Sequence, residues 1–258
     1  MANQKGVSMS VDGRVALVSG GSRGIGAATV RLFAAAAARV VFTYQKAQPE
    51  AEQLVKECGS DRCFAVQCDL NSAESAGKAV QAAVDRFGKL DILVANHGIW
   101  PDEDIAVEAM TVEHWRKTQA INVDAVFGLV KFAVPHLQKH GGHIVLVSST
   151  SGQRGEAYHI DYSASKGAII SMTKTLSSEL LKHNIRVNCV APGWVATDMS
   201  ASVLAKAETG AQIKATIPLG RVGTPEEIAG PILFLCTEHA GFISGEIFNV
   251  NGGAVLVG

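Results

Sequence analysis

The 258 residues include 23 Lys and Arg against 24 Asp and Glu, a formal net charge of −1, and 47% of them are hydrophobic. A chain of this size can bury one large core without disulfides or metal ions. Its charge gives no field that would attract nucleic acid or an anionic membrane surface, so neither partner is expected.

Residues 1–12 are expected to form a flexible tail, since Met1 to Ser10 is polar and has no apolar signal-like region. No apolar run reaches the roughly 18 residues that a membrane-spanning helix needs. The five cysteines form no C-x-x-C pair and are interpreted as reduced thiols. These features favour a cytoplasmic protein.

Short apolar runs alternate with stretches of helical period along the chain. Strands are predicted over Arg14–Ser19, Arg39–Thr43, Cys63–Cys68, Ile92–Ala95, His143–Ser148, Arg186–Val190 and Ile247–Val250. Helices are predicted over Gly24–Ala38, Ser72–Phe87, Val112–Lys139 and Tyr162–Leu181, and from Pro225 onward. Nearly continuous apolar strands separated by helices predict a single α/β domain over 13–258, a Rossmann-type doubly wound parallel sheet of seven strands.

Two segments near the C-terminus have their own signals. Thr224-Pro225-Glu226-Glu227 predicts a helix start, because Thr224 can cap the helix and Glu227 can complete a capping box. Residues 199–220 are irregular with scattered apolar side chains and are interpreted as a mobile substrate lid. A plain pair of connecting helices is the alternative.

A glycine-rich turn follows the first strand, where residues 19–26 read SGGSRGIG with Gly20, Gly24 and Gly26. Glycines permit a tight turn and close approach to the backbone, and free amides at the start of the next helix suit a pyrophosphate. Between a strand and a helix, such a turn predicts a dinucleotide site.

The end of the second strand indicates which dinucleotide binds. NAD sites usually have an acidic residue there, about 20 positions after the turn, but residues 43–46 read TYQK. Arg23 and Lys46 can approach a 2′-phosphate, where charge-assisted hydrogen bonds are strong. We expect NADP(H), with NAD(H) as the second candidate, although both cations could also be merely solvated surface groups.

Tyr162 and Lys166 lie four positions apart in a predicted helix and therefore share one face. A cation at hydrogen-bonding range lowers the pKa of a phenol. Such a Tyr can act as general acid in ketone reduction and as general base in alcohol oxidation. An unremarkable surface pair is the alternative interpretation.

The order of several motifs resembles the short-chain dehydrogenase/reductase family over nearly the whole chain from Gly13. The motifs are SGGSRGIG, Asp69, ANHG at 95–98, Asn122, Ser149, YSASK at 162–166, RVNCVAPGWVATD at 186–198 and GEIFNVNGG at 245–253. The segment PLGRVGTPEEIA at 218–229 is most similar to 3-oxoacyl-[acyl-carrier-protein] reductases.

The resemblance implies four catalytic residues. Ser149, rather than its neighbour Ser148, would hydrogen-bond the substrate oxygen, and Tyr162 would transfer the proton. Lys166 would assist the phenol, and Asn122, in the middle of a helix, would hold a water that links Lys166 to solvent.

The resemblance also implies the cofactor contacts, with Asp69 at the adenine and Thr197 at the nicotinamide carboxamide. The expected set is Gly20, Ser22, Arg23, Gly24, Ile25, Gly26, Tyr44, Asp69, Leu70, Asn96, Gly98, Tyr162, Lys166, Pro192, Gly193, Val195 and Thr197. His97 departs from the small residue usual in the family's turn. A homotetramer is implied, and no metal site is predicted, since the eight histidines lack ligand spacing.

The substrate is expected to be a 3-oxoacyl thioester, which makes acyl carrier protein a candidate partner. Relatives of that type commonly have arginines at the mouth of the site, where this chain has His140 and His183. The expected pocket residues are Trp100, Gln153, Tyr158, His159, Trp194 and Met199. Their aromatic character leaves a polyol, sugar or other secondary-alcohol dehydrogenase as an alternative, and a non-catalytic NADP(H)-binding protein as an alternative of another class.

Overall fold

Seven parallel strands form one sheet in the computed structural model, which describes residues 9–256. The strand order is β3-β2-β1-β4-β5-β6-β7. In chain order the strands are β1 (Val15–Val18), β2 (Arg39–Tyr44), β3 (Cys63–Gln67), β4 (Ile92–Ala95), β5 (Gly142–Val147), β6 (Ile185–Pro192) and β7 (Ile247–Val250). The predicted doubly wound α/β fold is confirmed.

Helices connect the strands and cover both faces of the sheet, as parallel strands require. They are α1 (Gly24–Ala35), α2 (Gln48–Cys58), α3 (Ala73–Phe87), α4 (Val112–Gln119), α5 (Ala125–Leu137), α6 (Thr150–Arg154), α7 (Ile160–Leu180), α8 (Asp198–Leu204), α9 (Ala207–Ala215) and α10 (Pro225–Phe234). A π turn, Ala120–Asp124, lies between α4 and α5. Thr224 and Glu227 form the predicted capping box at the start of α10.

Two buried apolar clusters hold the layers together, one on each face of the sheet. On one face, Phe33 of α1 and Ile232 of α10 pack over inward side chains of the central strands. On the other, Leu129 of α5 and Ile169 of α7 do the same. Apolar burial of this kind is the dominant favourable contribution to folding.

The direction of winding reverses between β1 and β4, which are neighbours in the sheet. In doubly wound sheets the crevice at such a switch point, outside the carboxyl ends of the strands, is where ligands bind. Here the chain leaving β1 runs through Ser19 and Gly20, and the chain leaving β4 runs through Asn96. The N–H of Ser19 donates to the carbonyl of Val94 at 3.0 Å, which joins these two strand ends.

Some segments differ from the sequence-based expectations. Helix α2 was not among the predicted elements, because it buries only Ala51 and Leu54 and has a weak apolar face. The segment 199–220 is not irregular: it contains most of α8 and all of α9, which matches the alternative of a connecting helix pair, and lid motion stays a prediction.

The expected N-terminal tail agrees only in part with the structure. Residues 1–8 of that tail lie outside the described residues. Val11, by contrast, is buried in the core, and its N–H donates to the carbonyl of Ala36 at 3.1 Å. The ordered domain therefore begins before Gly13.

The helical stretch Val112–Leu137 is long and apolar enough to cross a membrane, judged by length and composition alone. The sequence-based estimate missed it because charged residues near its start interrupt the apolar run. Its apolar side chains Leu129, Ala133 and Leu137 are fully buried against the sheet and α3. Core helices of globular proteins pass the same length test, so this feature carries no argument for a membrane.

Helix α5 approaches α3 so closely that Gly128 has no room for a side chain. A Cβ at Gly128 would lie 2.5 Å from Cα and 2.6 Å from the carbonyl oxygen of Ala73. Gly128→Ala should therefore lower the free energy of unfolding by about 1–3 kcal/mol through overpacking. Gly230 in α10 is the matched control, because a Cβ there meets nothing within 4 Å, and Gly230→Ala should be neutral or stabilise by up to about 1 kcal/mol. Urea unfolding of both variants measures the difference, and equal effects would contradict the packing argument.

Candidate active site

A cleft with a volume of about 430 Å³ opens at the carboxyl ends of the strands, over the switch point. It brings together side chains from both halves of the chain. Of the residues expected to bind cofactor or act in catalysis, the cleft is lined by Gly20, Ser22, Arg23, Gly24, Ile25, Tyr44, Asp69, Leu70, Asn96, Gly98, Ser149, Tyr162, Lys166, Pro192, Gly193, Val195 and Thr197. Gly26 and Asn122 lie behind this wall.

The glycine turn has the backbone geometry that its sequence predicts. Gly20 and Gly24 adopt φ values of +64° and +52°, a left-handed conformation that favours glycine. A Cβ at Gly26 would lie 2.1 Å from the carbonyl oxygen of Gly20, so only glycine fits there. The side chain of Asn96 donates to the carbonyls of Ser19 and Gly20 at 3.1 and 3.2 Å, and so fixes the turn from the β4 side.

Helix α1 begins at this turn and fits a pyrophosphate. Within the described part of the chain, its N-cap residue Arg23 makes no side-chain capping hydrogen bond and its first turn holds no acidic residue. The free N–H groups and the positive end of the helix dipole are therefore directed toward the cleft. A Cβ at Gly24 would approach Cγ2 of Thr197 at 3.2 Å, which shows how closely the far side of the cleft packs on this turn.

The adenosine end of the cleft has no acidic side chain at the end of β2. The amide of Gln45 donates to Asp69 at 2.7 Å, so Asp69 is held beside the strand end. Arg23 forms an exposed ion pair with Asp198 at 3.2 Å, across the mouth of the cleft. Lys46 also lines the cleft and is exposed. Arg23 and Lys46 therefore place positive charge on the side of the cleft formed by the glycine turn and the end of β2.

The structure distinguishes the two neighbouring serines after β5. The hydroxyl of Ser148 donates to the main-chain carbonyl of Lys166 at 2.7 Å, so Ser148 has a structural partner. Ser149 caps α6, accepting from the N–H of Ser151 at 3.1 Å, and its hydroxyl is close enough to the phenol of Tyr162 to act on the pKa of that phenol. Ser149 is therefore the serine whose hydroxyl lies beside the phenol of Tyr162 in the cleft.

Helix α6 can place Ser149 beside α7 because the two helices touch at a glycine. A Cβ at Gly152 would lie 2.5 Å from the carbonyl carbon of Lys166. Asp161, buried next to Tyr162, accepts from the hydroxyl of Thr118 at 2.6 Å and lies 3.2 Å from His114. These contacts fix the start of α7 against both α4 and α6.

The phenol of Tyr162 and the ammonium of Lys166 do share one face, with Nζ 5.7 Å from the ring centroid. Their electrostatics differ from the expectation. Burial raises the pKa of Tyr162 to about 12, while the hydrogen bond from Ser149 acts in the opposite direction. Burial lowers the pKa of Lys166 to about 8, and its Nζ donates to the carbonyl of Val147 at 2.9 Å. The phenol pKa is therefore raised and not lowered as expected, because desolvation disfavours the charged forms of both side chains.

Asn122 lies in the π turn rather than in a regular α-helix, and π turns inside helices are frequent at functional sites. Its side chain is fully buried and bonds the backbone of Ile99 in both directions, accepting at 2.8 Å and donating at 2.9 Å. A Cβ at Gly98 would lie 3.1 Å from Asn122 Oδ1 and 3.4 Å from Lys166 Nζ. Asn122 and Lys166 therefore flank Gly98, with Asn122 behind the cleft wall.

Three of the six expected substrate residues line the cleft, and three do not. Trp100 and Trp194 meet edge to face, with centroids 5.6 Å apart, and Met199 lies near them. The other three are absent from the lining: Gln153 donates to Asn249, Tyr158 is 58% exposed outside the cleft, and His159 is buried behind Trp100.

Sequence reasoning missed three polar residues that do line this part of the cleft, namely Ser151, Arg154 and Glu156. Ser151 donates a short hydrogen bond to the carboxylate of Glu156. Their position between Ser149 and Tyr162 in the sequence was the available signal. Among residues 9–256, no group of three or more His, Cys, Asp and Glu side chains could hold a metal ion.

Known proteins match this chain over nearly its full length. A family model described as "Enoyl-(Acyl carrier protein) reductase" matches residues 20–255. A 3-oxoacyl-[acyl-carrier-protein] reductase of Synechocystis is 38% identical over 248 residues, covering 94% of this chain and 97% of that protein. An L-rhamnose 1-dehydrogenase (NAD(P)(+)) of Sphingomonas is 35% identical, covering 94% and 96%.

Solved structures agree with these relatives. A short-chain dehydrogenase/reductase from Brucella melitensis, titled as a glucose/ribitol dehydrogenase, superposes with a TM-score of 0.90 at 35% identity and covers 97% of this chain and 100% of that one. A dehydrogenase/reductase from Sinorhizobium meliloti superposes with a TM-score of 0.89 at 33% identity, covering 96% and 98%. This chain belongs to the short-chain dehydrogenase/reductase family and is an oxidoreductase that uses NAD(P)(H) to interconvert alcohol and carbonyl groups.

Proposed function

We propose that the protein uses NADP(H) to reduce a ketone to a secondary alcohol, reversibly, and that its substrate is a 3-oxoacyl thioester. The observation that carries the reaction is that Ser149, Tyr162 and Lys166 line one cleft, with Lys166 Nζ 5.7 Å from the centroid of the Tyr162 ring. The thioester is supported by the relatives of 34–38% identity that are named 3-oxoacyl-[acyl-carrier-protein] reductases.

The chemistry divides between cofactor and protein. A bound nicotinamide supplies the hydride, and the glycine turn, Asn96 and Thr197 would hold the dinucleotide. Ser149 and Tyr162 can both donate to the carbonyl oxygen, which gains negative charge as the carbon is reduced. Because its pKa is about 12, Tyr162 carries its proton at neutral pH and can deliver it to that oxygen. The Lys166 ammonium then stabilises the phenolate that remains.

The preference for NADP(H) over NAD(H) rests on Arg23 and Lys46. Both are exposed at the adenosine end of the cleft, where no carboxylate at the end of β2 would repel a 2′-phosphate. Arg23 can exchange its ion pair with Asp198 for a charge-assisted bond to phosphate, since an exposed pair of this kind contributes little.

Sugar or polyol oxidation is the second candidate, and a specific observation favours it. The hydroxyl of Ser151 and the carboxylate of Glu156 are hydrogen-bond partners for substrate hydroxyls, and Trp100 and Trp194 offer apolar faces. The rhamnose dehydrogenase relative agrees with this chemistry.

The proposal also includes three features beyond the reaction. They are a carrier-protein partner, a cytoplasmic homotetramer and a substrate lid at 199–220.

The test follows NADPH absorbance with an acetoacetyl thioester and, in reverse, with a panel of sugars and alcohols. We expect kcat/KM for the thioester to exceed that for every sugar, and NADPH to be preferred over NADH by about tenfold or more. Arg23→Ala should remove most of that preference. Arg31→Ala, which loses an exposed arginine bonded to Glu57 outside the cleft, should not. A preferred sugar would replace the thioester, and equal use of both cofactors would reject the NADP(H) assignment.

A further inference from the structure

His97 occupies the position after Asn96, where β4 leaves the sheet, and its ring lies between two other parts of the site. Nδ1 is 2.8 Å from the hydroxyl of Ser19, at the start of the glycine turn. Nε2 is 3.0 Å from the carbonyl oxygen of Ile121, in the π turn. One side chain therefore connects the ends of β1 and β4 to the turn that carries Asn122.

One arrangement of protons satisfies the shortest of these hydrogen bonds. A carbonyl can only accept, so Nε2 carries the proton toward Ile121. The hydroxyl of Ser19 already accepts from the N–H of Asn96 at 3.0 Å and from the N–H of His97 at 3.2 Å, which uses both of its acceptor sites. Its own proton is then donated to Nδ1 at 2.8 Å, which is a closer acceptor than the carbonyl of Val94 at 3.5 Å. The imidazole is neutral in this arrangement, and burial together with the charge of Lys166 lowers its pKa to about 4.

The bond to Ile121 replaces one that a regular helix would make. In an α-helix the N–H of Ala125 would donate to the carbonyl of Ile121, four residues earlier. In this π turn it donates to Ala120 instead. The imidazole of His97 supplies a donor to the carbonyl of the half-buried Ile121, and a carbonyl shielded from water without a partner is costly. His97 thus stabilises the irregular turn on the side that faces the cleft.

We propose that His97 is a positioning residue, which holds the π turn so that Asn122 stays in register with Lys166 across Gly98. The inference rests on the proposed function, because His97 would support ketone reduction only by placing Asn122. The imidazole itself does no chemistry. Small displacements of catalytic groups cost large factors in rate, so the effect belongs to kcat and not to cofactor affinity.

His97→Ala should lower kcat for ketone reduction by about tenfold to a hundredfold, with the Kd for NADPH and the KM for the ketone within about threefold of wild type. His97→Gln, which retains one donor and one acceptor, should restore part of the loss. Hydrogen exchange of the Ala125 amide should be faster in His97→Ala, and this second measurement does not depend on the substrate.

His143→Ala is the matched control. His143 is also a buried histidine whose pKa is lowered to about 4 by burial, but it lies in β5 and does not line the cleft. Its loss should reduce stability and leave kcat within about twofold. Unchanged kcat and exchange in His97→Ala would overturn the inference, as would an equal loss of kcat in His143→Ala or a loss confined to NADPH binding. If wild type reduces no ketone, the proposed function fails instead, and exchange at Ala125 alone decides the role of His97.

Discussion

Tyr162→Phe should lower kcat for ketone reduction by about 10²- to 10⁴-fold, the range expected when a positioned general acid is removed. The phenol lines the cleft beside the Ser149 hydroxyl, which acts on its pKa. The Kd for NADPH, followed by fluorescence, should stay near that of wild type, because Phe keeps the packing of the ring. Single-turnover absorbance at saturating NADPH measures the chemical step directly.

Tyr158→Phe provides a matched control. Tyr158 lies four residues earlier in the sequence, yet it is 58% exposed and outside the cleft. Removing its hydroxyl should leave kcat within about twofold of wild type. Equal rates for Tyr162→Phe and wild type would remove Tyr162 as the acid and would favour a protein that only binds the dinucleotide.

The parts of the site that sequence reasoning located are those fixed by local spacing. The glycine turn needs left-handed residues at Gly20 and Gly24, and a turn requirement of this kind is visible in the sequence. Likewise, a spacing of four residues places Tyr162 and Lys166 on one helix face wherever the helix lies.

Properties that depend on tertiary packing were not accessible in this way. The pKa of Tyr162 is raised mainly by burial in the folded protein, so its direction could not be predicted from the neighbouring lysine alone. Tyr158 adopts a φ of +65°, a conformation unusual for an L-residue. The loop direction there sends Tyr158 out of the cleft while Glu156 lines it. Only the folded loop distinguishes these two residues.

The positive charge of Lys166 should lower the stability of the fold and support activity. Both effects should disappear over the same pH range, as the lysine loses its proton. Burial lowers its pKa from 10.5 to about 8. Between these values the unfolded chain holds a proton on Lys166 that the folded chain has lost. Because the unfolded state then binds more protons, the free energy of unfolding rises with pH in this window. The contribution of Lys166 should rise by about 2 kcal/mol between pH 8 and 10, after a gain of only about 0.4 kcal/mol below pH 8.

Comparison with Lys166→Met isolates this contribution. The groups nearest to Lys166 are Tyr162, His97 and Cys189; burial raises the pKa of Cys189 to about 12, and the pKa of His97 lies near 4. None of these three side chains in the folded protein titrates between pH 8 and 10. The difference between wild-type and Lys166→Met unfolding curves should therefore follow Lys166 alone. Lys174→Met, an exposed lysine on the same helix, should show no such difference.

Activity should change in the opposite direction. Since kcat/KM reports groups of the free enzyme, its value for ketone reduction should fall above pH 8 as the ammonium that stabilises the Tyr162 phenolate is lost. If the unfolding free energy of wild type rises relative to that of Lys166→Met between pH 8 and 10, and only the wild-type activity falls over the same range, one proton is the cause of both. If the unfolding free energies of wild type and Lys166→Met run parallel across this range, Lys166 is charged in the fold at a higher pH, and burial does not control its ionisation.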